Sequence, residues 1–461
     1  MNESEPEKEE IVEAEQHQMS FTKGPSIRIQ KNHPQDLIIG NPDQGITTRR
    51  SVGVIPNSCF VSKIEPKNVK EAMADEFWIE AMKEELNQFK RSEVWDLVPR
   101  PEGMNVICTK WIFKNKSDEH GTVTRNKARL VAQGYTQVEG LDFDETFTTV
   151  ARLESIRLLL GVSCILKFKL FQMDVKSAFL NSYLNEEVYV EQPKVFVDPS
   201  FPNHVYKLKK DMYGLKQAPR AWYERLTQFL VDQGYKKGGT DKTMFVKDDN
   251  GRLMIAQIYV DDIVFGGMSN KMVQHSVQQM QSEFEMSLVG EVTYFLGLQV
   301  KQMEDTIFIS QSKYAKNIVN KFGLDGGHKR TPVATHLKMR KDESDVSVDQ
   351  SMYRNMIGSL LYLTASRPGI TFVVEVCARY QAEPNMSHLT QVKRILKYIN
   401  NTGDYGILYL YSENSKLMGY CGSDRAGSAD DRKSTSGGCF FLGNNLISWF
   451  SKKQNYVPIY C

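Results

Sequence analysis

Apolar side chains recur along this chain at two different spacings, which together predict a mixture of helices and strands. The helical spacing is clearest in Trp78, Met82, Leu86 and Phe89, which predict an amphipathic helix. Further helices are predicted over residues 152–164, 218–235, 269–286, 311–322, 352–366 and 386–400. Two β-prone segments, 106–114 and 122–133, predict a β-hairpin, and residues 169–175 predict a buried strand. Because strands and helices alternate, the expected fold class is α+β.

One apolar stretch, "QIYVDDIVFGG" at residues 257–267, holds two adjacent aspartates, Asp261 and Asp262. Burying two like charges is unfavourable unless something cationic offsets them. The β-prone residues on both sides predict a hairpin whose turn carries the charge. The pair therefore has two interpretations, a polar hairpin turn or part of a metal site, and a metal site needs further oxygen ligands.

Two other Asp-Asp pairs serve as controls for this observation. Asp248 and Asp249 precede an Asn-Gly dipeptide, which favours a tight hairpin turn in solvent. Asp430 and Asp431 lie among Ser, Lys and Arg, which predicts a surface loop. Only the pair at residues 261–262 has apolar flanks, so it is the candidate for chemistry.

Composition limits the class of protein. The chain has 461 residues, of which 41% are hydrophobic and 10% aromatic, so a globular protein of two or three domains is expected. A net charge of +2 gives no general signature of polyanion binding, so any such affinity must come from local basic segments. Seven cysteines without a Cys-x-x-Cys pair predict reduced thiols. No signal-peptide core and no run near the ~20 apolar residues of a membrane span occurs.

A third carboxylate, Asp174, ends the predicted strand in "FQMDVKSAF". Its alternative interpretation is a helix N-cap, which aspartate suits well. Three carboxylates together with basic, aromatic-laced segments indicate two-metal nucleotidyl transfer, in which two Mg²⁺ ions about 3.5–4 Å apart activate a 3′-hydroxyl and stabilise the leaving pyrophosphate. The metal ions would also offset the charge of Asp261 and Asp262.

A set of motifs then occurs in a familiar order: "KWIFKNKSDEHGTVTRNKARLVAQGYTQVEGLDFDETF", "QMDVKSAFLN", "VYVEQP", "YGLKQAPRAWY", "YVDDIVF", "YFLGLQV" and "YRNMIGSLLYLTASRPGI". From about Trp78 nearly to its C-terminus, the chain resembles the reverse transcriptase of copia-type LTR retrotransposons. The resemblance implies a right-hand polymerase with fingers, palm and thumb that uses Mg²⁺, for which Mn²⁺ can substitute. It implies that Asp174 and Asp261 are the principal metal ligands and that Asp262 completes the site. A non-polymerase two-metal enzyme, such as a cyclase, fits the carboxylates but not the other motifs.

The same resemblance implies contacts with the incoming dNTP. Lys127 and Arg129 would face the triphosphate, although an exposed strand face is the alternative. Gln217 would contact the nucleotide and the template, although a residue that simply precedes a helix is possible. Phe179 would lie beneath the sugar and exclude a ribose 2′-hydroxyl, and its alternative is a core residue that anchors the turn.

Further residues are expected to contact an RNA or DNA template–primer. The basic candidates are Lys110, Lys114, Lys207, Lys209 and Lys210. Tyr259 is expected to pack near the primer end, or else to be a core hairpin residue. Gly297 matches a turn that helps to position the primer, although an ordinary strand glycine would give the same pattern.

Composition at the N-terminus and the resemblance after it divide the chain into four parts. Residues 1–65 are expected to be a disordered or extended linker, 66–335 the fingers, palm and thumb, 336–410 a helical connection, and 411–461 an incomplete ribonuclease H-like segment. In that segment family members usually read Gly-Tyr-Ser-Asp-Ala-Asp-Trp-Ala-Gly where this chain has "GYCGSDRAG". Gly422 replaces the first aspartate, Asp424 matches the second, and the expectation is that this chain has no ribonuclease H activity.

Two functions of different class remain open. The first is an active RNA-directed DNA polymerase that copies a retrotransposon RNA template. The second is a catalytically silent remnant, or a nucleic-acid-binding protein that keeps the polymerase fold. The sequence contains no protease signature, zinc knuckle or integrase-like segment, which is typical of a polyprotein fragment or a decayed element. The expected location is the cytoplasm, in a virus-like particle by resemblance, or the nucleus, without a membrane partner.

Overall fold

The computed structural model describes residues 61–117, 122–334, 339–341 and 344–456. Among these residues, one compact unit comprises the chain up to Asp142 together with Glu186–Leu215. A second compact unit comprises Phe143–Asn185 and the described residues from Lys216 onward. Residues 1–60 of the predicted linker lie outside the described residues, and within those residues we find no helix with the length and apolarity needed to cross a membrane.

The elements of both units are numbered in chain order. The helices are α1 (Val69–Ala72), α2 (Glu76–Arg91), α3 (Leu153–Ile165), α4 (Ala218–Asp232), α5 (Asn270–Glu283), α6 (Ser312–Lys321), α7 (Gln350–Leu363), α8 (Pro368–Ala378) and α9 (Met386–Asn401). The strands are β1 (Trp95–Pro99), β2 (Val106–Ile107), β3 (Thr109–Ser117), β4 (Val123–Ala132), β5 (Leu170–Val175), β6 (Tyr189–Glu191), β7 (His204–Leu208), β8 (Lys236–Lys237), β9 (Met244–Asp249), β10 (Arg252–Tyr259), β11 (Asp262–Gly267), β12 (Met286–Glu291), β13 (Tyr294–Phe295), β14 (Leu298–Gln302), β15 (Thr306–Ser310), β16 (Gly406–Leu410), β17 (Leu417–Ser423), β18 (Thr435–Leu442) and β19 (Asn445–Lys453).

In the first unit, α2 packs against the β3–β4 hairpin. Asp75 caps the helix by accepting a hydrogen bond from the Phe77 N–H at 2.9 Å. The buried Trp78 meets Phe113 of β3 edge to face, with the ring centroids 5.4 Å apart. The predicted helix and hairpin are both confirmed. A separate four-stranded sheet has the order β1-β7-β6-β2.

The end of the predicted linker contacts this hairpin. The backbone N–H of Ser62 donates to Asn126 of β4 at 2.9 Å, and Trp78 donates through Nε1 to the Ile64 carbonyl at 3.0 Å. Val61 and Ser62 are both buried. Residues 61–65 therefore form part of the folded first unit.

The second unit is built on a six-stranded sheet of order β12-β5-β11-β10-β9-β8. One face packs against α3 through a cluster that includes Ile156, Leu170 and Val264. The opposite face packs against α4 and α5 through a cluster that includes Trp222 and Val277. Because both faces are covered, the central strands are apolar almost throughout, which explains the apolar flanks of the Asp-Asp pair.

Four helices, α6 to α9, share a third apolar cluster in the same unit. The prediction found three of them but missed α8, because residues 369–376 are rich in β-branched side chains that favour strands. Pro368 lies in the first turn of α8, where its missing N–H leaves no helical hydrogen bond unmade. The helix predicted at 352–366 extends beyond α7, which ends at Leu363.

The C-terminal strands β17, β18 and β19 form a sheet that packs into the core of the second unit. Ile447 of β19 belongs to the same buried cluster as α3. The buried guanidinium of Arg157 on α3 donates to the carbonyls of Ile447 at 2.9 Å and Ala365 at 3.0 Å, and lies 4.1 Å from the centroid of the Trp449 ring. The segment 411–456 therefore shares its core with the elements that precede it.

This packing predicts that the C-terminal sheet unfolds together with the rest of the second unit. Ile447→Ala should lower the free energy of unfolding by about 2–4 kcal/mol, because it opens a cavity beside α3. Phe450→Ala is the matched control on the same strand, since that side chain is 46% exposed, and should change stability much less. Urea denaturation monitored by tryptophan fluorescence measures both. A separate early transition affected only by Ile447→Ala would contradict the shared core.

Candidate active site

The backbone brings the three candidate aspartates to one end of two neighbouring strands. β5 and β11 pair antiparallel, with Asp174 directly opposite Asp262. β10 and β11 form a hairpin in which Tyr259 pairs with Asp262, so Val260 and Asp261 form a two-residue turn. Directly opposed residues of antiparallel strands point to the same face of the sheet. Asp174 and Asp262 therefore share a face, and Asp261 lies in the adjoining turn, directly before Asp262.

This turn has an unfavourable backbone conformation. Val260 has φ +53°, in the left-handed region that β-branched residues rarely adopt. Two hydrogen bonds hold it: Trp222 Nε1 donates to the Val260 carbonyl at 2.7 Å, and the Val175 N–H donates to the Asp261 carbonyl at 2.8 Å. Local strain of this kind persists only where the surroundings fix it, and it is common at functional sites.

The carboxylates are more accessible to solvent than the sequence indicated. Asp174 is exposed, and Asp261 and Asp262 are half-buried at the open end of the sheet. Asp262 accepts a hydrogen bond through Oδ1 from Gln172 Nε2 at 2.8 Å. Water therefore solvates part of the charge of these carboxylates, and the expectation that metal ions offset it stays a prediction.

The side chains do not form a preassembled metal centre. Across the described ranges, no group of three or more His, Cys, Asp and Glu residues is arranged to hold a metal ion. The donors on the paired strands are nevertheless all carboxylate oxygens, which are the ligands that Mg²⁺ prefers. The donor set fits Mg²⁺ chemically, and the backbone register places two of the donors on one face of the sheet.

The residues expected near the nucleotide follow these strands. Phe179 lies in a 3-10 helix, Ala178–Asn181, and packs partly buried against the cluster beneath α4. Asp174 does not cap this short helix, since Ser177 occupies the N-cap position, so the alternative interpretation of Asp174 as an N-cap is wrong. Gln217 is 3% exposed and precedes α4 at its N-cap position, which agrees with its alternative interpretation.

The β3–β4 hairpin of the first unit carries a continuous basic face. Lys114 lies opposite Lys127, and Ile112 lies opposite Arg129. The alternation of a strand puts further cations on the same face, namely Lys110, Lys116 and Arg125. The structure therefore brings four predicted residues together within this unit: Lys110, Lys114, Lys127 and Arg129.

Acidic and aromatic neighbours moderate the charge of this face. Lys114 forms an ion pair with Glu65 at 3.2 Å, and the Arg129 guanidinium lies 4.3 Å from the centroid of the Tyr213 ring. Burial, followed by the neighbouring charge of Arg129, lowers the pKa of Lys127. Burial raises the pKa of Glu85 on α2, whose Oε1 accepts a hydrogen bond from the Leu130 N–H at 3.4 Å.

The second predicted basic segment is largely paired with acids. Lys207 forms an ion pair with Glu187, and Lys209 forms one with Asp96 at 2.8 Å. The sequence did not reveal these partners because each lies on a different element. The positive charge of "KLKKDMYGLKQAPR" is consequently smaller than the sequence indicated.

Tyr259 connects the acidic turn to the hairpin that contains Gly297. The ring of Tyr259 meets Phe295 edge to face at 6.3 Å. Gly297 lies in the turn between β13 and β14 with φ +77°, a conformation that favours glycine. It is therefore a turn glycine and not an ordinary strand glycine.

Asp424, in the segment that was expected to be ribonuclease H-like, has a structural role. Asp424 accepts hydrogen bonds through Oδ1 from the backbone N–H groups of Thr435 at 2.8 Å and Gly427 at 3.2 Å. The nearby Asp431 pairs with Lys453 at 2.7 Å, and the hydrogen bond from that lysine lowers the pKa of Asp431 to about 2. These carboxylates fix the loop between β17 and β18.

The acidic hairpin turn lies in register with a strand-end aspartate, and known proteins are similar to this chain as follows. A family model described as "Reverse transcriptase (RNA-dependent DNA polymerase)" matches residues 92–335. The chain belongs to this reverse transcriptase family.

Its relatives are Pol polyproteins of copia-type transposons. The chain is 36% identical over 395 residues to the retrovirus-related Pol polyprotein from transposon RE2 of Arabidopsis thaliana, covering 85% of this chain and 27% of that protein. It is 34% identical over 410 residues to the one from transposon TNT 1-94 of Nicotiana tabacum, covering 86% of this chain and 31% of that protein. The chain thus spans less than a third of the polyproteins that it matches.

A solved structure is also similar. It is titled "Structure of the foamy viral protease-reverse transcriptase dRH in complex with ds DNA", and the match has a TM-score of 0.44 at 13% identity. The match covers 82% of this chain and 56% of that chain.

The buried Glu85 predicts a pH-dependent stability of the first unit. The pKa of Glu85 in the folded state is raised above the ordinary value of 4.5. Its contribution to the free energy of unfolding is therefore complete below pH 4.5, and it is lost as the pH rises through the raised pKa. Glu85→Gln should remove this loss, so the variant should be more stable than the wild type at neutral pH.

Glu84→Gln is the matched control, since it removes the exposed ion pair with Arg125 and should change stability by less than about 1 kcal/mol. Urea denaturation between pH 4 and pH 8 provides the measurement. Identical pH profiles for Glu85→Gln and the wild type would show that Glu85 does not titrate differently in the folded state.

Proposed function

We propose that this chain is an RNA-directed DNA polymerase that adds dNTPs to a primer 3′ end while copying a retrotransposon RNA template. The observation that carries the proposal is the register that sets Asp174 opposite Asp262 beside the strained Val260–Asp261 turn. Membership of the reverse transcriptase family supports it. The names fingers and palm are proposed for the first unit and for the six-stranded sheet, and thumb for the segment that follows the sheet.

Asp174, Asp261 and Asp262 would hold Mg²⁺, with Mn²⁺ as a substitute. When bound, such ions lower the pKa of a 3′-hydroxyl and neutralise the charge that develops on the transferred phosphoryl group. The residues of the chain itself position the turn and its carboxylates. Trp222 and Val175 fix the carbonyls of the turn, and Gln172 orients the Asp262 carboxylate.

The dNTP is proposed to contact the basic face of β3–β4. Arg129 offers a forked donor for phosphate oxygens, and Lys127 lies on the same face, where burial lowers its pKa. Gln217 is proposed to act on the nucleotide and the template from the start of α4, and Phe179 to lie beneath the sugar.

The template–primer is proposed to contact Lys110 and Lys114, with Tyr259 and Gly297 near the primer end. Lys207, Lys209 and Lys210 are secondary candidates, because Lys207 and Lys209 already pair with acids. Binding should weaken steeply with salt, since each phosphate contact releases counterions.

No ribonuclease H activity is proposed for this chain. The Asp424 carboxylate accepts hydrogen bonds from the backbone, and Gly422 stands where the family has an aspartate. Cleavage of an RNA–DNA hybrid by the purified chain that is lost in Asp424→Ala would overturn this statement.

Asp261→Asn should lower the rate of primer extension on a primed RNA template by at least about 10²-fold, because a carboxylate ligand is lost. The fold should be unaffected, since the Asp261 backbone carbonyl keeps its hydrogen bond from Val175. Asp249→Asn is the matched control, because that aspartate lies in an exposed hairpin and should extend primers at the wild-type rate.

The wild type itself decides between the two classes of function. If it binds template–primer but extends no primer, the chain is a nucleic-acid-binding protein that retains the polymerase fold. If Asp261→Asn extends primers as fast as Asp249→Asn, the assignment of the carboxylates is wrong.

Phe179→Val tests the proposed exclusion of ribonucleotides. If the ring fills the space of a 2′-hydroxyl, the variant should raise ribonucleotide incorporation relative to dNTP at least tenfold, which is about 1.4 kcal/mol of discrimination. Leu180→Val is the control, because Leu180 is buried in the same turn and should slow both substrates equally. Single-nucleotide incorporation kinetics with matched dNTP and rNTP give the ratio. An unchanged ratio would make Phe179 a core residue only.

A further inference from the structure

A tyrosine of α7 forms a hydrogen bond with the turn between β13 and β14. Tyr362 lies in the last turn of α7, and its hydroxyl donates a hydrogen bond to the Leu296 carbonyl at 2.7 Å. Phe295 pairs with Leu298, so Leu296 and Gly297 form a two-residue turn. Both have positive φ, +47° and +77°, as a tight hairpin turn requires. The tip of this hairpin is therefore held by a helix distant in sequence.

The fit between the tyrosine and the turn leaves no room for a side chain. A Cβ atom at Gly297 would overlap the Tyr362 hydroxyl and would lie 2.9 Å from the ring carbon Cζ. The positive φ of Gly297 independently disfavours any other residue. Both the conformation and the contact with Tyr362 therefore require glycine at this position.

Tyr362 is itself held in place by a second tyrosine. Its ring meets Tyr314 of α6 edge to face, with centroids 4.9 Å apart and an interplanar angle of 76°. The Tyr314 hydroxyl donates to the Ser359 carbonyl of α7 at 3.1 Å. The two hydroxyls thus differ in their acceptors, since that of Tyr362 bonds to the turn and that of Tyr314 bonds to a helix.

The opposite side of the turn leads to the catalytic carboxylates. Phe295, which directly precedes the turn, is 2% exposed and meets the Tyr259 ring at 6.3 Å. Tyr259 in turn pairs with Asp262 across the β10–β11 hairpin. One ring contact therefore separates the turn held by Tyr362 from the hairpin that carries Asp261 and Asp262.

We propose that Tyr362 is a positioning residue for the primer 3′ end, which acts through the Leu296–Gly297 turn. This inference rests on the proposed polymerase function. The turn is bound to α7 on one side and to the catalytic hairpin on the other, so a primer strand lying on it is held at a fixed distance from the carboxylates. Loss of the Tyr362 hydroxyl keeps the ring in place and removes the hydrogen bond that fixes the turn.

The test compares Tyr362→Phe with Tyr314→Phe in the full chain. Each variant loses one hydroxyl and keeps its ring, but only Tyr362→Phe releases the turn. Tyr362→Phe should slow single-turnover dNTP incorporation about fivefold, the effect of one ordinary hydrogen bond, while the Kd for dNTP stays unchanged. Tyr314→Phe should incorporate dNTP at the wild-type rate.

A second readout requires binding but no chemistry. A primer that ends in 4-thiothymidine should cross-link to the peptide 293–300 in the wild type and in Tyr314→Phe, and less in Tyr362→Phe. Equal rates and equal cross-linking for the two variants would overturn the inference and leave the polymerase assignment intact. Equal slowing of both variants with lowered thermal midpoints would also overturn it, because Tyr362 would then be structural only. A wild type that incorporates no dNTP would refute the polymerase function, and this inference with it.

Discussion

The antiparallel pairing of β5 with β11 is the constraint on which the rest of the candidate site depends. Side chains alternate between the two faces of a strand, so a slip of one residue would send Asp174 and Asp262 to opposite sides of the sheet. Such a slip is disfavoured because both faces are buried, one against α3 and the other against α4 and α5. The apolar core thus sets the register, and the register sets the positions of the carboxylates.

The turn at Val260 keeps an unfavourable backbone conformation because the packed elements around it hold it in place. A valine with positive φ is disfavoured in an isolated hairpin, and here the buried Trp222 of α4 holds it through a hydrogen bond. The hydrogen bond from Tyr362 to the Leu296 turn is a second case of the same kind, since a helix fixes a hairpin tip. In both cases the rigid helices determine where a loop of the site lies.

Local patterns in the sequence predicted much of this structure. The spacing of Trp78, Met82 and Phe89 predicted α2, and the Asp-Asp pair predicted the acidic hairpin. The exposure of the carboxylates could not be predicted, because it depends on where the sheet ends. Nor could the partners of Lys207 and Lys209, which come from separate elements.

Local patterns in the sequence also could not predict contacts between distant segments. The bond from Arg157 to the carbonyl of Ile447 joins residues 290 positions apart, and nothing in "RLESIRLLL" or "LISWF" signals it. The sequence analysis assigned residues 411–461 to a part of their own, and the structure adds that the buried cluster around α3 continues into β19. The helix α8 was missed because its β-branched composition favours a strand, and tertiary packing outweighs that local preference.

The central claim is that Asp174, Asp261 and Asp262 form one divalent-cation site. Mn²⁺ titration of the full chain with template–primer and dNTP, followed by electron paramagnetic resonance, tests it most directly. The wild type and Asp249→Asn should bind Mn²⁺ equally well, and Asp174→Asn should bind at least about tenfold more weakly, because a direct ligand is lost. Equal affinity in the wild type and Asp174→Asn would contradict the claim.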